Sequence, residues 1–301
     1  MVEKKDIRIY KAFILLQCVM WGIGTPVTRF VYLSITPFCY MVIRFGLAAI
    51  VLAVFFFKYI KADLKWEKLK GCILTGVFVA ATYIFANLAV AEAMVTIAGF
   101  LMGISVVFTA LFSVMFLKTR IDKKFISSLG LVLIGMYMMC CGGIGKFSFG
   151  LGEFYALLSS ICMAAALMLS AKYIKEVSPA TLSAVQCFMT AVISIGFALV
   201  LEDFSCLQGA LPVSWASLLF ISLGCTVGSF MLQNVSIRHL SALFVSLMFC
   251  LQPIFTAIAS FFILKETVAS IAIAGGILIT AGLMIATIKT EKDKIDLQSP
   301  A

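Results

Sequence analysis

The chain has 301 residues, of which 63% are apolar and only 12% are charged, and its net charge is +9. Ordinary globular domains are roughly 45–50% apolar and about 25% charged. Because a water-soluble fold of this length cannot bury so much apolar surface, the composition excludes a soluble enzyme, a disulfide scaffold and a disordered protein. It indicates a protein that crosses a membrane several times.

Ten apolar runs follow one another along the chain, separated by clusters of charged or turn-forming residues. They lie at 11–31, 36–57, 71–91, 95–116, 125–142, 152–172, 179–201, 213–237, 240–263 and 269–288. A helix that spans a bilayer needs about 20 predominantly apolar residues. In lipid, every backbone amide must also be bonded within its own segment. The runs therefore predict an all-α integral membrane protein with ten transmembrane helices.

The charged connections predict which ends of these helices face the cytoplasm. Nineteen Lys and Arg residues lie in the two terminal tails and in the connections after the even-numbered runs, whereas only Lys146 and Lys265 lie in the other connections. Cytoplasmic loops carry the excess of positive charge in membrane proteins. We therefore expect a cell-membrane protein with both termini in the cytoplasm. This also explains the net charge, so we expect the lipid bilayer and no nucleic acid as its partner.

Comparison of the sequence with itself indicates an internal repeat. At an offset of 147, six of the eleven residues in 108–118 are identical to those in 255–265. The predicted halves are 1–146 and 147–301, with five runs each. Because five is odd, the second half must enter the membrane from the opposite face. Inverted repeats of this kind are typical of secondary transporters.

Short motifs along the chain give a resemblance to a known family. They are Trp21-Gly22 and Pro26 in the first run, Pro37 and Arg44-Phe45 in the second, Asn87-Leu88-Ala89 in the third, and Gln252-Pro253 through Leu264-Lys265-Glu266 in the ninth. In this order they resemble the drug/metabolite transporter superfamily, in particular its EamA-type transporter family. The resemblance implies two EamA-like five-helix repeats, the second inverted, around a central cavity. It also implies the export of small metabolites, often amino acids, from a bacterial cytoplasm.

The chain departs from this family pattern in its first half. It has Lys118-Thr119-Arg120 where the family usually carries a Gly-Glu pair, whereas Glu266 is retained in the second half. The two gates implied by the resemblance are therefore expected to be unequal.

Helix-breaking residues lie near the middle of two runs. Gly22, Gly24 and Pro26 are central in the first run, and Pro253 lies at mid-depth in the ninth. Proline removes one helical hydrogen bond, and glycine loosens the adjacent turn. We expect helix breaks with a gating role here. A kink that serves packing alone is the alternative.

Polar side chains at membrane depth are costly unless they are paired or face water. Arg44 is the one arginine well inside a run, and could hold a substrate carboxylate or instead bond helix carbonyls. Asn87 and Asn234 occupy equivalent repeat positions and could line a cavity or form an interhelical hydrogen bond. The full set of predicted substrate-binding residues is Trp21, Thr25, Arg44, Tyr83, Asn87, Tyr155, Phe230, Asn234 and Gln252.

The sequence also limits the mechanism. No Asp or Glu lies in the middle of a run, and the chain has one histidine. Because proton-coupled carriers place carboxylates at depth, we expect no carboxylate-relayed proton coupling, no cofactor and no metal. The favoured function is alternating-access transport of a small-molecule substrate by a monomer or homodimer that is not an enzyme. Proton-coupled efflux of drugs or toxic cations is the alternative, followed by a membrane-embedded lipid-modifying enzyme.

Overall fold

The computed structural model describes residues 4–118, 121–141 and 149–293, and these residues contain helices and connections but no β-strand. The helices are α1 (Lys4–Val31), α2 (Pro37–Phe55), α3 (Phe57–Asp63), α4 (Trp66–Glu92), α5 (Val95–Gly103), α6 (Ser105–Leu117), α7 (Lys123–Cys141), α8 (Leu151–Tyr173), α9 (Pro179–Leu201), α10 (Pro212–Phe220), α11 (Ser229–Ile237), α12 (Ala242–Phe249), α13 (Gln252–Leu264) and α14 (Ser270–Asp293). A 3-10 turn covers Phe204–Leu207, and a π-helical stretch, Ile221–Gly228, joins α10 to α11. The predicted boundary between the halves, at residues 146 and 147, lies outside the described residues.

The helices follow the predicted apolar runs in order. Within the described ranges, nine helical segments are long and apolar enough to cross a membrane. Three of them combine two labelled helices each, namely α5 with α6, α10 with α11, and α12 with α13. Within α14, the described apolar segment Ser270–Ala286 is a further, shorter apolar helix. The structure thus confirms an all-helical, multi-pass membrane protein, while the count of ten crossings stays a prediction.

Helix packing between the two halves follows a symmetric pattern. Helix α4 packs on α8 and α9. Its counterpart in the second half is formed by α10, the π stretch and α11, and it packs on α1. In addition, the π stretch contacts α2, and α11 contacts α9. Helices α5 and α6 contact α8, just as α12 and α13 contact α1. The pairs α2–α9 and α7–α14 join counterparts directly. Exchange of the halves therefore preserves the main contacts.

The ends of two helices have the same backbone conformation at positions separated by the repeat offset. Lys118 and Lys265 follow α6 and α13 with φ angles of 51° and 59°, and they are the two non-glycine residues with positive φ in the described chain. Their backbone N–H groups bond to the carbonyls of Ser113 and Ser260. Both pairs are 147 residues apart, the offset of the sequence identities.

One helix break lies beside the predicted Pro253, whereas another occurs where the sequence indicated none. The fourth run breaks at Ile104, between α5 and α6, and the ninth breaks at the equivalent Leu251, before α13. Pro253 lies in the first turn of α13, directly after that break. By contrast, α1 continues through Pro26 without interruption. One missing amide removes a single bond of the helix, and the neighbouring turns hold the rest together.

Each half also supplies a carboxylate that caps a helix of the other half. Glu202, which follows α9, accepts hydrogen bonds from the backbone N–H groups of Phe38 and Cys39 at 2.9 and 2.8 Å, at the start of α2. Asp63, at the end of α3, accepts a bond of 2.7 Å from the backbone N–H of Ser178, just before α9. A negative charge at a helix N-terminus is stabilising. The residue that caps the start of each helix follows the end of the other helix, so α2 and α9 run antiparallel.

Candidate functional site

A row of aromatic rings crosses the interior where five helices meet. Trp21 of α1 lies 5.3 Å from Phe249 and 6.5 Å from Phe230, measured between ring centroids. Phe230 lies 6.1 Å from Phe45, which lies 4.8 Å from Tyr83 of α4. The neighbouring rings in this row pack edge-to-face or tilted, the geometry that aromatic pairs prefer. The row brings three predicted site residues, Trp21, Tyr83 and Phe230, together.

Arg44 lies beside this row, and only 9% of its surface is exposed. Its Nε donates a hydrogen bond of 2.7 Å to Thr226 Oγ1, and its Nη1 donates one of 3.0 Å to the Tyr40 hydroxyl. Its guanidinium carbon also lies 5.0, 5.4 and 5.6 Å from the ring centroids of Phe45, Tyr83 and Tyr40. The side chain is therefore buried among protein groups.

No carboxylate balances the Arg44 charge among the described residues. Their two ion pairs are Arg29–Glu266 and Lys68–Asp63, and neither involves Arg44. Removing an ion from water costs several kcal/mol, and aromatic faces offset about 0.5–2 kcal/mol per contact. The Arg44 charge therefore lies in the interior without an acidic counter-ion in the described part of the chain.

The π-helical stretch positions two partners of this site. Trp21 Nε1 donates a hydrogen bond of 3.1 Å to the carbonyl of Cys225, and Thr226 Oγ1 donates one of 3.0 Å to the carbonyl of Ile221. A π turn shifts the backbone bonding from the fourth to the fifth residue, and such turns are frequent at functional sites. The equivalent residues in the first half, 74–81, lie in the continuous helix α4. The site is therefore built asymmetrically.

A second group of polar residues, the amide cluster of Gln17, Ser183, Gln186, Gln233 and Asn234, lies one helical turn from Trp21 and Phe230. Gln17 Nε2 donates a hydrogen bond of 2.8 Å to Gln233 Oε1. Asn234 Nδ2 donates bonds of 2.8 Å to both Ser183 Oγ and Gln186 Oε1. The side-chain amide oxygens Gln17 Oε1 and Asn234 Oδ1 are buried and have no hydrogen-bond partner in the described part of the chain. Each such orphan costs about 1–3 kcal/mol, so a water or a substrate donor would be stabilised there.

Asn234 was predicted from the sequence, whereas the three glutamines of this cluster were not. The available signal was the one that identified Asn87 and Asn234, an amide inside an apolar run. Asn87 itself is half-buried on α4, one turn from Tyr83, and its Nδ2 lies 2.7 Å from Met41 Sδ.

The other predicted substrate-binding residues are Thr25, Tyr155 and Gln252. Thr25 is exposed and donates a hydrogen bond of 3.1 Å to the backbone carbonyl of Trp21. Tyr155 stacks on Phe85 with 6.2 Å between ring centroids. Gln252 is the half-buried first residue of α13. A substrate-binding role for these three residues stays a prediction.

The two glycines of the first run allow close packing of α1. A Cβ added at Gly22 would lie 2.5 Å from Phe255 Cβ on α13. A Cβ added at Gly24 would lie 3.1 Å from Cys225 Sγ on the π stretch. Such close approach is the usual reason for small residues at helix interfaces in membranes. Gly22, Gly24 and Pro26 therefore do not mark a helix break, and their gating role stays a prediction.

Comparison with known proteins gives the family. The sequence pattern of the EamA-like transporter family matches this chain twice, over residues 9–141 and 150–288. The chain belongs to the EamA-like transporter family. Each match contains five of the ten apolar runs.

Two relatives of this EamA-like chain are uncharacterized transporters of Archaeoglobus fulgidus. One is 23% identical over 274 residues, which is 91% of this chain and 84% of the relative. The other is 25% identical over 228 residues, which is 75% of this chain and 77% of the relative. A solved crystal structure superposes with a TM-score of 0.81 at 15% identity and covers 97% of this chain and 99% of the other. At that identity the likeness establishes the fold alone.

Proposed function

We propose that this EamA-like protein is a secondary transporter that exports small carboxylate-bearing metabolites, amino acids or related compounds, across a cell membrane. The observation that carries the proposal is Arg44, a buried guanidinium without a carboxylate partner among the described residues. A substrate carboxylate can accept paired hydrogen bonds from such a group. The aromatic row would then contact the apolar part of the substrate.

Alternating access is the mechanism that best fits the arrangement of the halves. Both family matches, the equal offset of the Lys118 and Lys265 caps, and the antiparallel pair α2–α9 support two inverted five-helix repeats with ten crossings. Arg44 and Tyr83 belong to the first half, whereas Thr226, Phe230 and the glutamines of α9 and α11 belong to the second. Rocking of one half against the other would open this junction to each side in turn.

The charge of the site argues against efflux of cationic drugs. A buried guanidinium repels a cation and attracts an anion. The largely buried carboxylates in the described chain, Asp63 and Glu153, lie at helix ends, where both cap a helix N-terminus. Transport without a carboxylate relay for protons is therefore the simpler proposal.

Counterflow in liposomes that contain the purified protein tests the proposal. Vesicles would be loaded with one unlabelled compound at a time, from a panel of amino acids, polyamines, nucleosides and sugars, and uptake of the labelled compound would be followed without an ion gradient. We expect a transient overshoot for amino acids and none for polyamines. Overshoot for polyamines alone, or uptake that needs a proton gradient, would contradict the proposed substrate and mechanism.

Variants of the site connect the counterflow to Arg44. Arg44→Lys keeps the charge but loses paired hydrogen bonding, and a charge-assisted bond is worth about 1.5–3 kcal/mol, so counterflow should fall about 10- to 100-fold. Tyr83→Phe gives a second variant should Arg44→Lys fail to fold. Tyr137→Phe is the matched control, because Tyr137 is exposed on α7. Unchanged counterflow in both folded site variants would exclude this site.

A further inference from the structure

A cleft of about 540 Å³ lies outside the membrane-spanning segments, at the end of the molecule that the charge distribution assigns to the cytoplasm. Helix α3, the connection between α8 and α9, and the residue after α11 form its walls. Its charged and aromatic lining residues are Lys58, Tyr59, Asp63, Lys175, Glu176 and Arg238. The cleft thus lies between the first half, which supplies α3, and the second half.

Three cations of this cleft have no counter-ion. Lys58, Lys175 and Arg238 are exposed, and none makes an ion pair within the described residues. They come from three separate segments and meet only in the folded chain. Like charges gathered in this way repel one another and favour an anionic ligand.

The two acids of the lining do not cancel this charge. Both Asp63 oxygens are already engaged, because Oδ2 accepts from Ser178 N and Thr181 Oγ1 at 2.7 and 2.8 Å, and Oδ1 accepts from Lys68 Nζ at 3.3 Å. Glu176 is the one other acid of the lining, and it is exposed. Three cations against one uncommitted carboxylate leave the cleft positive.

Exposed aromatic residues indicate the depth of the cleft relative to a membrane. Tyr59, in the lining itself, has 62% of its surface exposed, and Phe57 and Trp66 on either side have 59% and 72% exposed. Tyrosine and tryptophan concentrate at the level of lipid headgroups. Anionic lipids give the cytoplasmic leaflet a negative potential that attracts nearby basic residues. The cleft therefore places three cations without ion pairs at the level where lipid phosphates lie.

We propose that this cleft binds the phosphate group of an anionic membrane phospholipid, with Lys58, Lys175 and Arg238 as the hydrogen-bond donors. A free phosphate compound carries the same chemistry, and the test separates the two sources. A lipid held here would join α3 of the first half to the α8–α9 connection and Arg238 of the second. The inference concerns lipid binding only and does not depend on the proposed substrate or on transport.

Lipid binding to the purified full-length protein tests this proposal by native mass spectrometry in detergent. Phosphatidylglycerol would be titrated against phosphatidylcholine, and inorganic phosphate and glycerol phosphate would be added as competitors. Because a basic residue beside the lipid headgroup contributes about fivefold in affinity, Lys58→Gln with Arg238→Gln should weaken phosphatidylglycerol binding roughly 25-fold. Lys61→Gln with Lys70→Gln is the matched control, which removes the same charge from exposed positions outside the cleft lining.

Selective phosphatidylglycerol binding that only the cleft variant loses supports the lipid site. Displacement of the lipid by millimolar phosphate would support the phosphate chemistry but assign the site to a soluble phosphate compound. An equal loss in the cleft variant and the control, or no preference over phosphatidylcholine, would overturn the proposal. If the double variant fails to fold, Lys58→Gln and Lys175→Gln are measured singly, with about fivefold expected for each.

Discussion

At the scale of single residues, Asp63 connects parts of the chain that are more than 100 residues apart. It is 8% exposed and accepts hydrogen bonds from Ser178 and Thr181 at the start of α9. Burial alone would raise the pKa of Asp63, but the bonds from Ser178, Thr181 and Lys68 outweigh this and lower the pKa below its ordinary value. The ionised carboxylate therefore stabilises the folded protein.

Asp63→Asn should lower the free energy of unfolding by about 1–2 kcal/mol, the usual value of a helix cap. Because the folded-state pKa is depressed, the contribution of the carboxylate is complete above about pH 5 and is lost as the pH falls through the unfolded-state and then the folded-state pKa. Denaturant unfolding in detergent at neutral and acidic pH measures this. The difference between wild type and variant should be constant above about pH 5 and should shrink below pH 4.

Asp203→Asn is the control for this prediction. Asp203 is exposed, and within the described residues its hydrogen bonds are to Ser205 of the same loop, at 3.0 and 2.7 Å. Its replacement should leave the stability of the α9 end unchanged. A stability difference at Asp63 that persists unchanged in acid would contradict the electrostatic explanation.

Single residues also mark how far the sequence predicted the site. Arg44 and Asn234 were identified because polar groups inside apolar runs are conspicuous. The pairing of Gln17 with Gln233 was not, because it joins residues 216 positions apart and depends on how α1 meets α11. The cost of a polar residue can be read from its surroundings in sequence, whereas its partner is a property of the folded chain.

At the scale of helices, the two breaks at Ile104 and Leu251 have little local sequence signal. Neither residue is a glycine or a proline, although Pro253 follows the second break. Conversely, Pro26 does not interrupt α1. The π stretch Ile221–Gly228 was not predicted either, because the partners of its backbone carbonyls include side chains of other helices, such as Trp21 at the Cys225 carbonyl. Run positions follow from hydropathy, whereas these distortions follow from packing.

The left-handed caps of α6 and α13 lead to a prediction at this scale. A side chain at positive φ costs roughly 1–2 kcal/mol in the left-handed helical region, and glycine avoids that cost. Lys265→Gly, and likewise Lys118→Gly, should therefore raise the free energy of unfolding by about 0.5–1 kcal/mol after the added entropy of the unfolded chain is subtracted. Lys265→Val should lower it by about 1 kcal/mol.

Lys65→Gly tests whether the sign comes from the backbone. Lys65 precedes α4 with φ −112°, where a side chain is not strained. Glycine there should not stabilise the protein. Stabilisation at Lys65 equal to that at Lys265 would contradict the explanation.

At the scale of the whole molecule, the two ends are unequal although the fold is repeated. Arg29 at the end of α1 and Glu266 after α13 form an ion pair of 2.6 Å. Near the start of the repeat the offset is 142, as between Pro37 and Pro179, so the counterpart of Arg29 is Ala171. The counterpart of Glu266, at the offset of 147, is Thr119, and these two residues cannot form an ion pair. If the halves rock, the ion pair favours closure of one end only.

Glu266→Gln should shift the protein towards opening at the Arg29 end. The pair is exposed, with 65% and 43% of the two side chains accessible, and exposed pairs contribute about 0–1 kcal/mol. Hydrogen exchange of residues 265–269 should therefore quicken by no more than about fivefold. If opening of the two ends is mutually exclusive, as the proposed alternating access requires, exchange of residues 171–178 should slow at the same time. The charge-swapped protein, Arg29→Glu with Glu266→Arg, should restore both rates. Faster exchange at both ends would instead mean local loosening, and it would count against a rigid rocking of one half on the other.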